Sequence, residues 1–132
     1  MIRAVAGVCA GLIVWFVVAT IMNLLLRVSW PGYAEAEMSF AFPLGMLLAR
    51  LVLGMLSSIC AGFVLAWITK AYGIAATVLG FVLIVIFIPV HYGLWDKFPV
   101  WYHLIFLASL IPLTLLGARL KAQPISTEPR AE

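Results

Sequence analysis

Four apolar runs, each about as long as a bilayer is thick, constrain this chain more than any other feature. The first covers residues 4–26, between Arg3 and Arg27, with Thr20 and Asn23 as its only strongly polar side chains. The second covers 51–69, between Arg50 and Lys70, and Pro43 is suited to the first turn of a helix that begins near residue 44. The third runs over 71–90 and the fourth over 100–118, the last closed by Arg119 and Lys121. A hydrocarbon core of about 30 Å is crossed by about 20 helical residues. Backbone amides left unpaired in lipid are costly, so each run is predicted to be helical.

Composition removes the alternatives. Of 132 residues, 66% are apolar and 10% are charged, against about 45–50% and about 25% in an ordinary soluble domain. A short chain has much surface for its volume, and so few charges cannot cover it in water. A soluble globule, a disordered chain and a nucleic-acid binder are excluded despite the net charge of +3. The predicted fold is all-α: a transmembrane bundle of four helices, up-down-up-down, with spans near 4–26, 44–69, 71–90 and 100–118. Residues 1–121 form its single domain, and 122–132 are expected to be a flexible cytoplasmic tail. The first run is too long for a signal-peptide core and lacks a small-residue cleavage site, so it is taken as a true span.

Four spans place both termini and the Lys70 turn on one side. That side holds Arg3, Lys70, Arg119, Lys121 and Arg130; the other holds Arg27, Arg50 and Lys97. By the positive-inside rule the richer side is cytoplasmic. This predicts a multi-pass protein of the cell membrane, in a bacterium the inner membrane, with both ends inside. The lipid bilayer is then the first expected partner, and a second copy or another membrane protein the next.

The connections differ in character. Residues 28–42 open with the turn signal Trp30-Pro31-Gly32 and continue through a stretch able to form one or two helical turns on the membrane surface. Lys70-Ala71-Tyr72-Gly73 is short enough to make its two helices antiparallel neighbours. Residues 89–99 are read as the third connection, because Pro89 opens it.

Small residues recur at helical spacing. Gly54, Ser58, Gly62 and Ala66 share one face of the second span; Gly7 and Gly11 pair on the first, and Ala76 and Gly80 on the third. Such faces let helix backbones approach closely in lipid. They serve either a dimer contact or, more usually, packing within the bundle. Trp15, near mid-membrane, is best explained by packing against another helix.

Few polar groups are candidates for chemistry. Arg50 either snorkels to the headgroups, the favoured reading since 51–69 alone can span, or lies inside and pairs with Glu35 or Glu37. Asn23, with Thr20 and Arg27 on the same helix face, makes a polar notch or a hydrogen bond to a neighbouring helix. His91 and His103 carry metal-ligating nitrogens, but the spacing of twelve matches no metal signature, and histidines are common at a headgroup boundary. Pro112 is expected to kink the fourth span, with Thr114 helping to satisfy the freed backbone. Cys9 and Cys60 lie in different spans and are not expected to pair. Catalytic residues, cofactors and metals are expected to be absent.

Arg50 opening a span, the Ala61-Gly62-Phe63 patch, Trp101-Tyr102 at a helix start and the closing Gly117-Ala118-Arg119-Leu120 together carry a resemblance. In these residues the chain resembles a group of small, uncharacterised four-span bacterial membrane proteins. The resemblance covers the last three helices and implies the fold and the location, with no activity attached. The expected role is a non-enzymatic structural, accessory or partner-binding subunit. The alternative is a small oligomeric transporter or channel; a proton-coupled exporter would need an acid within a span, and none of the five acids lies in one.

Overall fold

A computed structural model describes residues 1–123. Five helices follow one another: α1 (Ile2–Ser29), α2 (Tyr33–Ser39), α3 (Leu44–Ile68), α4 (Tyr72–Gly93) and α5 (Val100–Ala122). All but α2 are long and apolar enough to cross a membrane. Ala122 still belongs to α5 and Gln123 caps it, so helix extends one residue into the expected tail. The rest of that tail, with Arg130, lies outside the described residues.

The helices carry apolar side chains all round, as lipid-facing spans do. Ile13, Val52, Phe81 and Leu104 are exposed on α1, α3, α4 and α5. Inside, α3 packs most extensively on α5 and on α1, while α4 lies against α5 and closes back to α1. The bundle has two ends. The turn end holds Met1, the α3–α4 turn and the end of α5. The cap end holds α2 and the α4–α5 connection.

At the turn end the small residues set the helix distances. A Cβ on Gly62 would lie 1.9 Å from the Thr114 carbonyl oxygen, and one on Gly117 would lie 2.0 Å from that of Ile59. Backbone therefore rests on backbone between α3 and α5, and only glycine fits. Gly7 lies against Leu65 and Thr69, Gly11 against Ala61 and Leu79, and Gly80 against Ile111. Gly54 takes the Phe106 ring, Ala76 is fully buried, and Ala66 packs half-buried against the core. The structure thus places all these residues between helices of one chain. Polar atoms tie the same layers. Trp15 Nε1–H donates to Ser58 Oγ at 3.0 Å, and the Ser58 hydroxyl donates to Gly54 O at 2.8 Å.

At Pro89 the expected helix end changes, and at Pro112 the partners of Thr114 do. Helix α4 continues through Pro89 to Gly93, so the third connection begins at Leu94. The proline removes one amide hydrogen but leaves the following turn free to form. Helix α5 likewise runs through Pro112. Thr114 does not serve the carbonyl of Ala108 that Pro112 leaves free. Its hydroxyl lies 3.0 Å from Ala76 O on α4, and also within reach of the Leu110 and Ile111 carbonyls. It ties α5 to α4 instead.

Candidate functional site

The cap end is built around α2. Gly32 has φ of +83°, a left-handed conformation that glycine adopts without strain, and it turns the chain back over the bundle. Tyr33 and Glu37 are four residues apart on α2, and Asn23 and Arg27 four apart on α1, so each pair shares a helix face. The two faces meet. Tyr33 is fully buried, and its hydroxyl donates to Asn23 Oδ1 at 2.8 Å. Asn23 Nδ2–H donates to Glu37 Oε1 at 2.8 Å, and Arg27 Nε–H donates to Glu37 Oε2.

Arg50 completes this network. Its Nη1–H donates to the Tyr33 hydroxyl at 3.0 Å, reaches Asn23 Oδ1 at 3.4 Å, and lies 3.7 Å from Glu37 Oε1. The Phe42 ring stacks on the guanidinium, with its centroid 4.8 Å away. Of the two readings of Arg50, the pairing with a carboxylate of residues 33–39 is the one whose partners the structure shows, with the side chain about a quarter exposed. Between the two candidate carboxylates the structure chooses Glu37. Glu35 is exposed, and its backbone carbonyl accepts from the Ser39 hydroxyl.

Burial alone would raise the Glu37 carboxyl. Hydrogen bonds from Asn23 and Arg27, with the charges of Arg27 and Arg50, outweigh that and hold it below the usual carboxylate value. Two guanidinium groups thus share one carboxylate, leaving the cluster with an excess positive charge. Arg50 Nε is buried and has no hydrogen-bond partner.

Beneath the network lies a cleft of about 410 Å³ between α1 and α4, floored by α3 and α5. Asn23, Arg27 and Arg50 stand at its polar end, Trp15, Phe87 and Phe106 at its apolar end, and Thr20 lines it between. Trp15 closes it towards the turn end, packing on Phe87 with ring centroids 4.8 Å apart. The polar notch expected from Thr20, Asn23 and Arg27 is one wall of this cleft.

His91 and His103, expected at a headgroup boundary, are instead buried and paired, with their Nδ1 atoms 2.7 Å apart. The reason is the continuation of α4 past Pro89, which turns His91 towards α5. Neutral imidazoles make such a contact only in opposite tautomers, one Nδ1–H donating to the other's bare Nδ1. Two imidazole nitrogens on one metal at about 2.0–2.1 Å each would stand further apart than this. Among the described residues no group of three or more His, Cys, Asp or Glu could hold a metal ion. His103 stacks on Trp95 at 4.9 Å and leaves its Nε2 unpartnered, while His91 lines the cleft. Cys9 and Cys60 are free thiols on exposed faces.

Sequence reasoning missed Gly117 as a packing residue, although Thr114 and Ala118 beside it repeat the small-residue spacing seen on α3. It also missed Tyr33 as the bridge between Asn23 and Arg50, which no local pattern marks. No family model, curated protein or solved structure matches the chain.

Proposed function

We propose that this chain is a non-enzymatic multi-pass protein of a bacterial inner membrane, with both termini in the cytoplasm and the cap end outside. Its role is that of a binding subunit, and the cleft under α2 is its working part. The observation that carries this reading is a cleft of about 410 Å³, within the size range of small-molecule sites, walled by a preformed polar network. The orientation rests on the excess of Lys and Arg at the turn end.

The chemistry of Glu37 supports binding over catalysis. A general acid or base needs an oxygen free to exchange a proton with its substrate. Both Glu37 oxygens are engaged by Asn23 and Arg27, with Arg50 close by, so the carboxylate acts as a counter-ion that pins α2. A small oligomeric transporter or channel has less support. Within one chain the turn end is closed backbone on backbone at Gly62 and Gly117, so any passage would have to run between copies.

Native mass spectrometry of protein purified in mild detergent tests the reading. A ligand or partner retained by the wild type and lost on Ala19→Trp, which fills the cleft, is the expected result. Retention unaffected by that substitution, or no retained mass, would count against it. Size-exclusion behaviour and helix content check that the variant still folds.

A further inference from the structure

The cleft has a direction. Trp15 and Asn23, eight positions apart on α1, stand about 12 Å apart along the helix axis. Between them the α1 wall changes from aromatic to polar and cationic, with Phe98 and Tyr102 lining the cap end beside Arg50. The aromatic end lies towards the middle of the bundle and the cationic end towards the cap. That gradient matches a membrane amphiphile, apolar at the midplane and polar at the surface. Phe16 and Leu24 on α1 and Val90 on α4 line the cleft and are also exposed to the exterior. They form lips through which a chain can enter sideways from lipid.

The charge identifies the head. Arg27 and Arg50 share the single carboxylate of Glu37, so the polar end is cationic. Arg27 and Arg50 both line the cleft with partly exposed side chains, and a guanidinium at a cleft wall suits a planar or tetrahedral oxyanion. We infer that the cleft takes a single-chain amphiphile with an anionic headgroup, a carboxylate or phosphate, its head held by Arg50 and Arg27 and its chain lying against Trp15, Phe87 and Phe106. This deepens the binding reading and rests on it. The head is drawn from the outer leaflet, and its two sources are a fatty acid and a phosphate-bearing lipid.

The test compares palmitate, hexadecyl phosphate and hexadecylphosphocholine, which share a chain length, for binding to the purified protein in neutral detergent. Inorganic phosphate serves as the chainless control. Both anionic chains are expected to bind at least about tenfold more tightly than the zwitterion, with a preference that weakens as salt is raised. Tighter binding of hexadecyl phosphate identifies the phosphate lipid as the source; tighter binding of palmitate identifies the fatty acid. Arg50→Gln should abolish the preference, and Ala19→Trp should abolish binding of all three. If all three bind equally and Ala19→Trp still removes them, the anionic headgroup is wrong and the binding reading stands. If Ala19→Trp changes nothing, the binding reading itself falls. Inorganic phosphate binding as tightly as hexadecyl phosphate would refute the amphiphile. The headgroup comparison uses the unaltered protein, so it decides the question even where a variant fails to fold.

Discussion

The two ends of this bundle are held by different physics. At the turn end, glycines bring α3 and α5 into backbone contact, and the stabilisation is dispersion over closely fitted surface. At the cap end α1 and α4 border a cleft. A network of five side chains on α1, α2 and α3 holds that end together and leaves a cleft beneath. Without a hydrophobic drive between spans, close packing gives a closed and rigid half, and polar bonding gives a half with room in it. The difference teaches where a ligand can enter.

The sharpest way to break the comparison is at α3–α5. Gly62→Ala puts a methyl group against the Thr114 backbone, and no flexible side chain is there to yield. We expect a loss of about 3 kcal/mol, near the upper end for overpacking, read as reduced resistance to denaturant in detergent. Gly11→Ala should cost less, because its closest neighbour is the tip of the Leu79 side chain.

Glu37→Gln attacks the other half. Two cations lose their shared counter-ion, and about 2 kcal/mol should be lost, with faster amide exchange confined to α2. Glu35→Gln, on the exposed side of α2, should stay within about 0.5 kcal/mol of wild type. Acid should imitate Glu37→Gln. The Glu37 carboxyl titrates below the ordinary value of 4.5 when folded. Its contribution is therefore complete above that value and lost as pH falls through the lowered folded one. Amide exchange across α2 should rise over that window, while the turn end stays protected.

Trp15→Phe removes the bond to Ser58 that joins the halves, and should cost about 1 kcal/mol. Gly73→Ala should do least, because a Cβ there meets nothing within 4 Å. It should be neutral or stabilise by about 0.5 kcal/mol.

What the sequence made legible follows the same division. Helix lengths are readable because lipid thickness fixes them, and the turn end is readable because Ser58, Gly62 and Ala66 announce close packing by spacing alone. The cap end is hidden. Its contacts join Asn23 to Glu37 and Tyr33 to Arg50, residues that share no helix, and their meeting depends on α2 folding back at Gly32. The histidine pair was obscured by Pro89. Read as a breaker, it put His91 on a loop, whereas helix continues past it wherever neighbouring helices supply the packing.

Single-cysteine labelling of intact cells with a membrane-impermeant maleimide tests most directly whether the two ends face opposite sides of a membrane. With Cys9 and Cys60 changed to Ser, Glu35→Cys is predicted to label from outside and Lys70→Cys only after the membrane is opened. Labelling of both from the same side would contradict the account.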